Sequence, residues 1–183
     1  MSNRDVNTFE RGTTQLAGRT PAMLGRTFEY LNYSSSALTT LRDNRLVKMM
    51  VVTNGEASAA LLPGQLVAWK TGLQGTKVVN PAASAGVAIA GVVDWLIPAA
   101  GAAAGYDFLI IIFGPARFLI DANATVAEGD NLINSASVAG CVRTGTTAGA
   151  VVGRAEAAAA AGGGALATAT TCFGFFSAVG AGP

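Results

Sequence analysis

The sequence contains no histidine, and it therefore lacks both the usual general base near neutral pH and the most common metal ligand of proteins. Nucleophile systems built on Ser–His–Asp or Cys–His are excluded as well, because both require an imidazole. The two cysteines, Cys141 and Cys172, form no CxxC pair, so neither a zinc-ligand spacing nor a disulfide framework is present. We expect two buried, reduced thiols and no metal ion.

Other catalytic and cofactor motifs are also missing. There is no GK[ST] phosphate loop, and the glycines within residues 101–105 lack the strand–turn–helix context of a dinucleotide site. Glu128 and Asp130 flank Gly129 in a predicted turn, where acidic residues are ordinary turn formers. The sequence therefore predicts no catalytic residues, no cofactor and no enzyme activity.

Charge is scarce, with 13% charged against 51% hydrophobic residues and a net charge of +1. So small a net charge lacks the electrostatic footprint of nucleic-acid binding, and a surface with few charges predicts coverage by further copies or by a partner. We expect no secretory signal and no membrane span, since no stretch has about 20 strongly apolar residues. The mean hydropathy of +0.43 keeps a small membrane-associated protein open as an alternative.

The first 45 residues show no sustained helical or strand period, and RGTT, GRTP and GRTF recur within them. We predict an extended docking arm over residues 1–45, whose arginines pair with carboxylates while its aromatic rings fill pockets on a neighbouring subunit or partner. A solvated tail is the alternative. The arm residues predicted to bind the partner are Arg4, Phe9, Arg11, Arg19, Arg26, Phe28 and Tyr30.

Residues 46–183 are predicted to form an all-β domain, a compact β-sandwich or barrel-like body of the β-tulip type. Short apolar stretches alternate with Gly, Asn and Asp turns, as is typical of such folds. In the run FLIIIF the residues at odd and at even positions are all apolar, which predicts a strand buried on both faces. Before the body, residues 34–44 allow a short helix or a loop. The predicted strands are 46–53, 58–62, 65–70, 76–79, 87–93, 106–113, 116–121, 131–133, 138–143, 150–157 and 168–177.

A weak internal repeat relates the two parts of this body. LLPGQLVAW around Gly64 is similar to AEGDNLINS around Gly129, and each is followed some 20 residues later by a small-residue strand. Two half-units about one core would explain the pattern, and chance similarity in a Gly/Ala-rich sequence is the alternative.

The order of PGQLV, AGVAIAGVV, ATVAEGDNLI and AGAVVGRAEAAAA resembles the capsid decoration, or cement, proteins of tailed bacteriophages, over residues 58–180. The resemblance implies a compact β fold and a homotrimer that is made in the host cytoplasm and binds the major capsid protein. It further implies a place on the outer surface of the virion, where the trimer staples neighbouring capsomers. The longer arm and the AAAAAGGG stretch depart from that pattern. A minor tail or baseplate component and a shell subunit are the structural alternatives.

Overall fold

The computed structural model describes residues 9–16, 21–34, 41–84, 87–121, 124–146, 151–160 and 171–177. Within these ranges the regular structure is eleven β-strands and one 3-10 turn, so the predicted all-β class is confirmed. No helix of the described chain has the length and apolar character to cross a membrane. The strands are β1 (Gln15–Leu16), β2 (Thr27–Tyr33), β3 (Leu41–Asn54), β4 (Leu66–Trp69), β5 (Lys77–Val79), β6 (Ile89–Val93), β7 (Tyr106–Leu119), β8 (Asn131–Asn134), β9 (Val142–Thr144), β10 (Val151–Ala155) and β11 (Thr171–Ser177), and the 3-10 turn is Pro21–Met23.

Five of the strands close on themselves. β3 pairs with β5, β5 with β4, β4 with β6, β6 with β7, and β7 again with β3. The β3–β5 pairing is parallel and the other four are antiparallel. From this small barrel the sheet continues outward through β11, β10, β8 and β9, while β2 lies beside β3. The barrel-like body expected from the sequence is therefore present.

Two apolar clusters fill the molecule, one on each side of the barrel wall. Along β7, Phe108 and Ile110 belong to the smaller cluster, whereas Leu109 and Ile111 belong to the larger one. Neighbouring residues of a strand point to opposite faces, so a strand with core on both sides must be apolar at both parities. The prediction that FLIIIF is buried on both faces is confirmed for these four side chains, all fully buried, whereas Ile112 is half-buried and Phe113 is 52% exposed.

β7 is shared between two parts of the sheet. Its first half, to Phe113, pairs with β3, and its second half, from Phe113 onward, pairs with β11. The change of partner coincides with Gly114, whose φ is 110°, in a region that L side chains rarely adopt. A Cβ at Gly114 would lie 3.0 Å from the carbonyl oxygen of Leu46, so glycine also permits the close approach of β3.

Several predicted boundaries were wrong. Residues 58–62 pair with another segment only at an isolated bridge between Leu61 and Ala102. The two strands predicted over 106–113 and 116–121 are one, and Pro115 lies in it just beyond Phe113, where the pairing of β7 with β3 has ended. β3 begins at Leu41 rather than Leu46. Residues 35–40, the middle of the segment predicted as helix or loop, lie outside the described residues.

The described part of the arm packs on the body of its own chain. β2 is an edge strand hydrogen-bonded to β3, and the two residues of β1 pair with the start of β7. Phe9 is 1% exposed and belongs to the larger core cluster. Residues 9–16 and 21–34 are therefore built into the same sheet and core as residues beyond 45.

Candidate protein-binding surface

The outward side of β2 and β3 carries apolar residues where an exposed strand normally carries polar ones. Leu31 lies opposite Leu46 across the strand pair, with side chains 39% and 53% exposed. Two positions further along, Glu29 lies opposite Lys48, and both are exposed. Directly opposite residues of an antiparallel pair share one face, so these four side chains form one patch.

The patch continues onto β7 and β11. Lys48 is also opposite Phe113, which is 52% exposed, and the ring of Phe113 meets that of Phe175 edge-on with 5.0 Å between centroids. Burial of two such rings against a partner would remove considerable apolar area from water. We call this surface the exposed sheet face, and its residues are Glu29, Leu31, Leu46, Lys48, Phe113 and Phe175.

A charged cleft of about 670 Å³ adjoins the exposed sheet face, and Phe175 lines both. Its floor comes from the start of β3, from the turn before β8 and from the end of β10. The strands bring together side chains that are more than 80 residues apart in the sequence, so no local motif marks the cleft. Its lining residues are Arg42, Asp43, Arg45, Glu128, Gly129, Arg154, Ala155, Glu156 and Phe175.

Arg45 is the centre of an ion-pair network in this cleft. Its Nη2 lies 2.6 Å from Oδ2 of Asp43 and 2.8 Å from Oε2 of Glu156. Hydrogen bonds with Glu156 and then Asp43 raise the pKa of Arg45 above its usual range. Desolvation acts to raise the pKa of Asp43, but hydrogen bonds from the side chain and backbone of Arg45 oppose it and the pKa falls. The network ties β3 to the segment that follows β10.

Two further arginines flank an aromatic ring beside the cleft. The guanidinium of Arg42 lies over the face of Phe173, and that of Arg117 lies 5.1 Å from the same ring centroid. Nε of Arg117 donates to Oγ1 of Thr171 at 2.8 Å. Among the described residues, neither Arg42 nor Arg117 forms an ion pair with a carboxylate. Stacked guanidinium groups of this kind keep their edges available to carboxylates of a partner.

Two pairs of buried polar side chains in the described chain are hydrogen-bonded to each other. Oγ1 of Thr53 donates to Oδ1 of Asp107 at 2.6 Å, and Oγ of Ser135 donates to Oδ2 of Asp121. Burial, together with the nearby Asp121, raises the pKa of the Cys141 thiol to about 12. A thiol with so high a pKa is a poor nucleophile. No group of three or more metal-ligating side chains occurs in the ranges that the structure describes.

The predicted arm residues are dispersed. Arg11 forms a buried ion pair with Asp94, 3.3 Å between Nε and Oδ2, and its guanidinium lies 4.9 Å from the ring centroid of Trp95. The hydroxyl of Tyr30 donates to the carbonyl of Phe9 at 2.5 Å. Burial, and then the negative charge of Asp94, raise the pKa of Tyr30 to about 12.

Phe9 and Arg11 therefore have partners inside their own chain, and the contact of the arm with a binding partner stays a prediction. Phe28 is half-buried against the larger core cluster, and Arg26 is exposed. Arg4 and Arg19 lie outside the described residues.

Sequence reasoning missed every residue of the exposed sheet face. A signal was present in β2, where TFEYLNY alternates in the structure between exposed and half-buried or buried positions and places Leu31 among the exposed ones. No local signal marks Phe113, because only its register against Lys48 shows which side of the sheet it occupies.

No protein-family model matches this sequence, and no curated protein matches it. Among solved structures, it is similar to the N base of the head fiber gp8.5 of bacteriophage phi29. The two chains are 13% identical, the match covers 74% of this chain and 98% of that chain, and the TM-score is 0.45. A structural similarity with this identity and TM-score does not indicate the function of the present chain.

Proposed function

We propose that this chain is a structural protein of a bacteriophage head, which binds the outer surface of the shell as an oligomer and staples neighbouring capsomers. It carries no enzyme activity in this proposal. The observation that carries the proposal is the exposed sheet face running into the charged cleft at Phe175. A contiguous surface of apolar side chains rimmed by arginines is typical of protein-binding sites.

The resemblance to phage decoration proteins supports the same role. The motifs that carry it lead into or form strands of the body: PGQLV reaches β4, AGVAIAGVV ends in β6, EGDNLI in β8, and AGAVVGRAEA contains β10. Stapling needs surface on more than one subunit, and an oligomer repeats each contact, so modest affinity at one site becomes high avidity. The major capsid protein is the proposed partner.

Binding to shells tests the proposal directly. Full-length protein is mixed with purified shells that lack it, the shells are pelleted, and electron microscopy locates the bound copies. We expect regular occupancy of the outer surface and release of shell proteins at a higher temperature than for bare shells. Soluble protein that never pellets with shells, or density confined to the tail or baseplate, would rule the proposal out.

A charge variant identifies the contact. Arg42→Gln removes a cleft cation that pairs with no described carboxylate, whereas Lys70→Gln removes an exposed cation outside both the cleft and the arm. We expect Arg42→Gln to weaken shell binding and to make the affinity fall less steeply with salt, and Lys70→Gln to leave both unchanged, because only the cleft contacts carboxylates of the shell. Equal binding by the two variants would remove the cleft from the contact.

A further inference from the structure

The exposed sheet face concentrates apolar side chains that the fold itself does not cover. In the described part of the chain six large hydrophobic side chains are exposed, and three of them, Leu31, Leu46 and Phe113, lie together on this face. Single exposed leucines are ordinary on protein surfaces, but a contiguous group is not. This group therefore marks an interface.

The charges on the face identify what fits it. Glu29 and Lys48 lie opposite each other on neighbouring strands, and they form no ion pair among the described residues. A two-fold axis in the plane of the interface, parallel to the strands and midway between these two residues, places Glu29 of one copy over Lys48 of the other. The same rotation lays Leu31 over Leu46. The face is therefore complementary to itself in charge and in apolar character.

Other occupants fit this face less well. A strongly basic or acidic partner would leave one of the two opposite charges facing a like charge, which costs affinity. The chain itself has a net charge of only +1, so two copies approach without large repulsion. The arginines that suit an acidic partner lie in the cleft, beside this face.

We propose that the exposed sheet face pairs with the same face of a second copy, in a symmetric face-to-face contact of two sheets. Leu31 and Leu46 form its apolar centre, and the Glu29–Lys48 pair sets the register between the copies. The pairing deepens the proposed function, since it names the partner of this face and leaves the cleft for the shell.

Native mass as a function of concentration tests the pairing. Sedimentation equilibrium of the full chain is expected to show dimers or higher even-numbered assemblies, in place of the homotrimer that the resemblance to decoration proteins implies. Leu31→Ser and Leu46→Ser are each expected to weaken self-association at least about tenfold, because a symmetric contact loses each side chain twice. Leu73→Ser is the matched control, since Leu73 is 40% exposed and lies outside the face. A monomer at all concentrations, or a trimer, would overturn the pairing.

Charge reversal supplies a second test, in which a 1:1 mixture of two variants distinguishes loss of the contact from loss of folding. Glu29→Lys places two positive charges on the face, and Lys48→Glu places two negative ones, so each variant is expected to self-associate less than the parent. A 1:1 mixture of the two variants is expected to recover the assembly, since each restores the opposite charge to the other. Failure of the mixture to associate, with both variants folded, contradicts the proposed register.

The outcomes separate this inference from the proposed function. If the chain is monomeric but Leu46→Ser lowers its occupancy on shells, the face binds the shell and only the pairing is wrong. If the chain pairs as described but never binds shells, the pairing stands and the head role fails.

Discussion

At the scale of single residues, the buried pair between Arg11 and Asp94 fixes the start of the described chain to the barrel. Both side chains are almost completely buried, and Arg11 also donates to the carbonyl oxygen of Leu31 in β2. Burial raises the pKa of Asp94 against the opposing effect of Arg11. The sequence predicts that Arg11 pairs with a carboxylate, but not that the carboxylate lies 83 residues away in the same chain.

Asp94→Asn is expected to lower the free energy of unfolding by about 3–5 kcal/mol, because it leaves the guanidinium of Arg11 buried without its counter-charge. Urea denaturation followed by circular dichroism measures the change. The double variant Arg11→Met/Asp94→Leu is the control, since replacing both charges by apolar side chains is expected to cost less than the single change. A double variant destabilised as much as Asp94→Asn would show that the unpaired charge of Arg11 is not what costs stability.

At the scale of elements, the pairing of β10 with β11 depends on glycine where the strands pack on Phe118. A Cβ at Gly153 would lie 2.4 Å from the carbonyl oxygen of Phe175 and 3.2 Å from the ring of Phe118. Gly174, on the partner strand, is equally crowded, with 2.5 Å to the carbonyl oxygen of Arg154. The abundance of glycine in the sequence predicts close packing. Close approach of neighbouring backbones is found at Gly153 and Gly174.

Gly153→Ala is therefore expected to destabilise the fold by about 3 kcal/mol, as overpacking of a buried site does. Thermal denaturation measures the loss. Gly72→Ala is the control, because the turn at Gly72 is open and the cost there is limited to its φ of 77°, about 1 kcal/mol. The crowding argument fails if Gly153→Ala is no more destabilising than this control.

The positions of most strands could be predicted from the sequence, but the partner with which each strand pairs could not. Alternation and turn residues locate most of the strands, and FLIIIF identifies the centre of the core, because these signals are local. Closure of the barrel depends on the parallel pairing of Thr53 with Lys77, and the exposed sheet face depends on the register of Lys48 with Phe113. Both pairings join segments that are distant in the sequence. The residue types involved would fit many other strand partners equally well, so the sequence does not identify the pairing.

At the scale of the whole molecule, buried acidic groups of high pKa make the fold sensitive to alkali. The pKa of the Cys141 thiol and that of the Tyr30 phenol are both raised to about 12, so the folded state keeps protons that the unfolded chain releases near pH 9–10. Stability is therefore unaffected by these groups below pH 9 and falls as the pH rises from 9 toward 12.

The melting temperature measured from pH 8 to pH 11.5 is expected to fall most steeply above pH 9. Tyr30→Phe is expected to start lower, because it loses the hydrogen bond to the carbonyl of Phe9, but to fall less with pH. Parallel curves for the two proteins would show that Tyr30 does not contribute to the alkaline loss.

The double pairing of β7 has a mechanical consequence. One continuous strand closes the barrel along its first half and carries the outer strands along its second, with Gly114 between them. A load applied through β11 reaches β7 through the hydrogen bonds of their ladder and then passes along one continuous backbone into the closed ring. The rim therefore holds to the barrel up to the strength of the β7–β11 pairing.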